Sequence, residues 1–376
     1  MSPRLSGCAT ADATARYAGR FGRAAEGHFR KSLECVMGSV GLGTYLGNPD
    51  VETDEAYADS VMSAIESGCN VIDTAANYRF QRSERSIGEA LRRLAGKPGA
   101  PARDEVVLCT KGGYIPFDGD VPDHPPTYFT ETFIKTGIAT PRDLVSGMHC
   151  MTPKYLLHQL DCSLSNMGVE SIDVYYLHNP ETQLSVLSTD DFYARVRAAF
   201  EALERASSDG KIQWYGCATW NAFRVPPESA EHMSLSRLVG IAREIAGETH
   251  RFKVIQMPFN LAMPEALTVS TQELLGDGAR MPALEAAESL DLTVFTSVPI
   301  LQGRLAMGLP DELHKSFPGL TTDAQRAIQF VRSSPHVTAP LVGMSGRNHV
   351  KENLALMGIP PLSPTEFAGL FSSEKK

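Results

Sequence analysis

At 376 residues, with 43% apolar and 21% charged side chains, the chain has the makings of a large globular core. A net charge of −9 excludes the broad cationic face that a nucleic-acid or anionic-membrane partner needs. Seven cysteines, odd in number and without a CxxC pair, point to reduced thiols in the cytoplasm and to neither a disulfide framework nor a metal site.

In chain order, residues 1–35 carry Arg4, Arg16, Arg20, Arg23 and Arg30 and read as an arm preceding a domain over 36–376. The first apolar run, Val36 to Leu42, closes on a turn from Gly41 to Gly47. A helix is expected from Thr53 to Gly68, with Tyr57, Val61 and Ile65 on its buried stripe, and another from Ser83 to Gly96. Between them Val71-Ile72 forms a short strand. Val106–Thr110 is the next strand, followed by about 40 residues rich in proline that read as an enlarged loop. Thr152-Pro153 opens a third helix.

Further alternation gives strands at Ile172–Leu177, Ile212–Cys217, Phe252–Gln256, Leu292–Thr296 and Val337–Val342. A second irregular stretch covers Met257 to Arg280, and Thr322-x-x-Gln325 has the spacing of a capping box. The pattern implies an α/β chain, a single (β/α)8 barrel with enlarged loops at its C-terminal face. No apolar run reaches membrane-spanning length.

Three strands each run into an ionisable side chain: Asp73 (with Tyr78 five residues on), Lys111 and His178. In a parallel barrel these ends share one rim. A phenol is a weak acid, but a neighbouring ammonium favours its ionised form, and a carboxylate keeps that ammonium charged. Lys111 is therefore expected to lower the Tyr78 pKa, while His178 orients a carbonyl oxygen. Asp73 and Lys111 could instead be a structural ion pair. Trp220, Phe223, Tyr114 and Phe117 follow strand ends and suit either a pocket wall or packing, and the other histidines have no metal-ligand spacing.

From about residue 36 to 358 the chain resembles the aldo-keto reductases. The resemblance rests on the Gly41–Gly47 turn, the Asp73…Tyr78 spacing, Lys111, His178, Gly216, Gln256, Pro299-x-x-x-Gly303-x-Leu305 and Gly343…Glu352-Asn353. It implies a nicotinamide-dependent oxidoreductase that interconverts a carbonyl and an alcohol, with NADP(H) favoured over NAD(H). Tyr78 would be the general acid, tuned by Lys111 and Asp73, and His178 would position the substrate. Cofactor contacts would come from Thr44, Tyr45, Asp73, Thr219, Gln256 (on the carboxamide), Ser297, Ile300, Gly303, Gly343, Ser345, Arg347, Glu352 and Asn353. Arg347 would be the basic residue toward the 2′-phosphate.

Two positions depart from the family pattern. Ser297 stands where an aromatic ring commonly stacks on the nicotinamide, and Ala218-Thr219 replace the usual Ser-Asn. The resemblance also admits a cofactor-binding regulatory subunit with little turnover. A Schiff-base aldolase using Lys111 is a third reading, opposed by Asp73, which favours the charged amine. The substrate is legible only as a small carbonyl or alcohol compound, its selectivity residing in the loops after Lys111 and Gln256. Oligomeric state is not legible.

Overall fold

Short apolar strands alternating with amphipathic helices leave both faces of a sheet to be covered, and a closed parallel barrel does this with no free edge. The computed structural model describes residues 3–274 and 276–372. The chain opens with helix α1 (Ala11–Gly19), N-capped by Thr10, and an antiparallel hairpin of β1 (Phe29–Ser32) and β2 (Cys35–Gly38). The expected boundary at 35/36 falls inside β2. The apolar run Val36–Leu42 is not one strand either: it splits into β2 and the first barrel strand, β3 (Gly41–Gly43). The chain bends at Ser39-Val40, just after Gly38, where a Cβ would meet Gly68 O at 2.7 Å, and the Asn70 side chain bonds both Gly38 N and Val36 O.

Helix α2 (Val51–Glu66), β4 (Val71–Asp73), α3 (Arg82–Ala95) and β5 (Val107–Gly112) follow. Asp50 caps α2 by accepting the Thr53 amide at 2.8 Å. The enlarged loop after β5 carries a short helix, α4 (Pro125–Phe129), and packs a small core of its own around Phe133, Ala139, Cys150 and Tyr155. Then come α5 (Pro153–Met167), β6 (Ile172–His178), α6 (Thr189–Ser208), β7 (Ile212–Ala218), α7 (Leu235–Ala246) and β8 (Phe252–Pro258).

The second irregular stretch folds into α8 (Glu265–Thr268) and β9 (Ser270–Glu273), which pairs with β10 (Arg280–Pro282). The chain ends with α9 (Ala283–Ser289), β11 (Thr293–Ser297), α10 (Asp311–Ser316), α11 (Asp323–Ser333), β12 (Ala339–Gly343), α12 (Arg347–Leu354) and α13 (Pro364–Gly369). Only half of the expected capping box forms: Thr322 Oγ1 accepts the Gln325 amide, while the Gln325 side chain turns to Thr321 N.

Strands β3 to β8, β11 and β12 close a parallel barrel in the order β11-β12-β3-β4-β5-β6-β7-β8. Gly216 lies within β7, where a register shift brings β8 so near that a Cβ would sit 1.8 Å from Val254 O. The barrel interior is filled by Val71, Val107, Val174, Tyr176, Val254 and Phe295, and Ala9, Cys35 and Met37 join this cluster from the N-terminal segment. Each fully buried Val, Phe or Met among them contributes roughly 1.5–3 kcal/mol. Among the described residues no helix is long and apolar enough to cross a membrane.

Candidate active site

Neighbouring strands β4, β5 and β6 set Asp73, Lys111 and His178 at their C-terminal ends, each stepped two residues beyond the register partner of the one before. Lys111 Nζ donates to Asp73 Oδ1 at 2.5 Å and to Thr74 O at 2.7 Å. Asp73 Oδ2 accepts from Gln256 Nε2 at 2.9 Å. Both charged groups are buried. Lys111 Nζ lies 5.0 Å from the Tyr78 ring centroid, and the Tyr78 ring meets Tyr45 and His178 edge-on at 4.9 and 5.8 Å.

Burial raises the Asp73 pKa, against the opposing pull of Lys111 and Gln256. Burial alone would lower that of Lys111, but Asp73 and Tyr78 outweigh it and hold the amine charged. Burial also takes the Tyr78 phenol above its ordinary 10.0, and Lys111 only moderates this. The expected lowering of Tyr78 is therefore corrected: its spacing to Lys111 was legible, its desolvation was not. Tyr78 is a neutral phenol with a proton to give. His178 is held well below 6.5 by burial, Lys111 and His149, and so is a neutral imidazole.

A second histidine, to which the sequence assigned nothing, braces the first. His149 Nε2 is 2.7 Å from the carbonyl of His178 and must donate to it, which leaves Nδ1 to accept from Gln183 Nε2 at 2.8 Å. Burial lowers its pKa to about 4. Gln183 Oε1 in turn accepts from Arg195 at 2.6 Å. Tyr114 stands edge-on to His178 at 5.0 Å, and its hydroxyl accepts from Asn179 Nδ2 at 3.2 Å.

Above them opens a cavity of about 350 Å³. Of the expected site residues, Asp73, Tyr78, His178, Thr44, Tyr45, Gln256, Ser297, Ile300 and Gly343 line it. Lys111 lies beneath the wall. Thr219, Gly303, Ser345, Arg347, Glu352 and Asn353 are not in the wall. Gly303 closes a turn with φ 90°, and Ser345 precedes α12. Arg347 is exposed and pairs with Asp59 at 3.1 Å. Glu352 accepts from Thr322 Oγ1 at 2.7 Å and so ties α12 to α11. Tyr114 and Trp220 do wall the cavity, whereas Phe223 is core and Phe117 packs on Phe80 and Tyr128. Asn179, directly after His178 with φ 46°, is a wall residue that no sequence pattern marked.

A nicotinamide nucleotide suits the residues present. Thr219 Oγ1 and Asn353 Oδ1 are buried without a hydrogen-bond partner, the kind of group that a polar ligand satisfies. Gly343 and Gly346 have open space where a side chain would project, at the N-terminal end of α12. Gln256 has committed its amide nitrogen to Asp73, leaving its carbonyl oxygen for a carboxamide.

A model of the Aldo/keto reductase family matches residues 39–236. The NADH-specific methylglyoxal reductase of Escherichia coli (strain K12) is 27% identical over 197 residues, a match that spans only 51% of this chain and 51% of that protein. A probable voltage-gated potassium channel subunit beta of Oryza sativa subsp. japonica is 22% identical over 354 residues, 90% of this chain and 92% of that protein. The crystal structure of an aldo/keto reductase from Klebsiella pneumoniae in complex with NADP and acetate superposes with a TM-score of 0.59 at 21% identity, covering 92% of this chain and 94% of that one.

Proposed function

This chain belongs to the aldo/keto reductase family, and from that premise we propose that it reduces an aldehyde or ketone to an alcohol, or runs the reverse, with NADP(H) preferred to NAD(H). The observation that carries this reading is the Lys111–Asp73 contact of 2.5 Å beneath a cavity that Tyr78 and His178 line. A bound nicotinamide would supply or accept the hydride at carbon. Tyr78 gives its phenolic proton to the carbonyl oxygen. Lys111, kept cationic by Asp73, stabilises the phenolate left behind. Neutral His178 donates an N–H toward the same oxygen and orients it. Tyr114 and Trp220 wall the cavity and limit water.

Thr219, Gln256, Ser297, Gly343, Ser345 and Asn353 would hold the cofactor. The NADP preference rests on Arg347, which must leave Asp59 to meet a 2′-phosphate. Free cysteines throughout the described chain support a reducing, cytoplasmic setting. Fluorescence titration with NADPH and NADH in parallel tests the reading: NADPH should bind more tightly, and Thr219→Val and Asn353→Ala should each weaken both. If neither nucleotide binds, the reductase reading is wrong.

The match to a channel-subunit protein over 90% of the chain favours a second reading, a cofactor-binding regulatory subunit. It requires tight NADPH binding with no turnover over a panel of aldehydes and ketones, and no functional change in Tyr78→Phe.

A further inference from the structure

Among the described residues the longest run of non-glycine residues in the left-handed region is Arg79-Phe80-Gln81, with φ of 46°, 56° and 71°, directly after Tyr78. Side chains with a Cβ resist this conformation, so surrounding contacts must hold it. Arg79 provides them. Its buried guanidinium donates from Nη1 to Asp54 Oδ1 at 2.7 Å, from Nε to Ser83 Oγ at 3.1 Å and from Nη2 to Ser86 Oγ at 3.0 Å, and it lies 4.9 Å from the Tyr57 ring centroid.

Two of these partners reach onward to the loop after β3. Ser83 Oγ donates to Thr44 O at 2.9 Å, and Tyr57 OH donates to Leu46 O at 2.7 Å. Tyr45, between those carbonyls, is the ring that rests against Tyr78. On the other side, Gln81 Nε2 donates to Phe117 O at 3.0 Å, and Gly119 N donates to Phe80 O at 2.9 Å. The same turn therefore seats the long loop after β5.

We propose that Arg79 is a positioning residue for the carbonyl chemistry, a role that rests on the reductase reading. It does not line the cavity and touches no reacting group. By tying the left-handed turn to α2 and α3 it sets the Tyr78 phenol toward Lys111 and fixes Tyr45 against it. A loss of this kind falls on the proton-transfer geometry more than on ligand affinity.

The test uses Arg79→Gly, in which glycine accepts the left-handed φ and the fold survives, beside Arg79→Lys and Asp54→Asn. In Arg79→Gly, kcat is expected to fall on the order of 100-fold while the NADPH Kd rises no more than about tenfold. Arg79→Lys, which can still reach Asp54, should recover part of kcat. Asp54 also pairs with Arg82 at 2.6 Å, so Asp54→Asn is read as a cycle: it should cost less kcat in the Arg79→Gly background than in wild type. Arg79→Gly with kcat within about threefold of wild type, or with a loss matched by the fraction unfolded, overturns the proposal. If wild type itself does not turn over, the reductase reading fails separately. Hydrogen exchange then decides the role of Arg79: exchange over 44–48 and 78–83 must quicken in Arg79→Gly, and unchanged exchange overturns it.

Discussion

The barrel buries an aspartate–cation pair at each end, and the two are finished differently. At the N-terminal end Asp173 accepts from Ala9 N (2.6 Å) and Gln213 Nε2 (2.6 Å) at one oxygen, and from Arg103 (2.8 Å) and Leu108 N (2.7 Å) at the other. That carboxylate is saturated, and it ties the N-terminal segment to β5, β6 and β7. At the mouth Asp73 accepts one side-chain donor at each oxygen, Lys111 and Gln256, and borders a cavity with a phenol beside it. A closed pair anchors; a pair open on one side can tune a neighbour that reacts.

The largest effects should separate the two ends. Tyr78→Phe is expected to lower kcat by on the order of 10²–10⁴-fold with the thermal midpoint unchanged. Lys111→Met should lose comparable activity and destabilise as well, since it strands a buried carboxylate. Arg103→Met should cost roughly 3–5 kcal/mol in urea unfolding, for the same reason, yet leave kcat per folded molecule within about twofold. If Arg103→Met lowered kcat as Lys111→Met does, the distinction between anchor and chemistry would collapse.

Two buried groups, one near each end, should respond to pH in opposite directions, with His149 and His178 at the mouth adding to the acid loss of His28. His28, near the N-terminal end, faces Gly68 O and is pushed by burial from 6.5 down to about 4. The unfolded chain binds the proton first, so this contribution is complete above 6.5 and is lost as pH falls toward 4, up to roughly 3 kcal/mol. Glu181, at the mouth, accepts the Trp220 amide at 2.6 Å and is pushed by burial from 4.5 up to about 7. Here the folded state holds the proton longer, so stability is lost as pH rises from 4.5 through 7, by a similar order. Urea unfolding across this range should show the loss between 4.5 and 7 shrink in Glu181→Gln, Asp73 keeping its share, and the acid loss persist. The smallest effect is expected at Arg16–Asp104, an exposed pair whose removal in Arg16→Ala should change stability by less than about 0.5 kcal/mol.

What the sequence revealed follows the same division. Asp73, Lys111 and His178 were legible because each ends a short apolar run, and Gly68, Gly96 and Thr152-Pro153 marked helix limits to within a residue or two. The first barrel strand was not legible, because β2 and β3 are both buried and only Gly38 and Asn70 divide them. The β9–β10 hairpin was missed because its strands are short and one ends at Pro282. His149 and Asn179 act through contacts made across long loops, which no local pattern encodes. The Tyr78 shift was misjudged because neighbouring charge can be inferred from spacing, whereas burial depends on the whole mouth.

One measurement tests the chemistry at the mouth most directly. Wild type and Tyr78→Phe are mixed with NADPH and an aldehyde, and both cofactor binding and consumption of the reduced nicotinamide are followed. Equal binding, with consumption by wild type and a loss of at least about 100-fold in Tyr78→Phe, is the expected result. Equal consumption by the two proteins would show that the open pair does not deliver its proton through Tyr78, and would contradict the assignment.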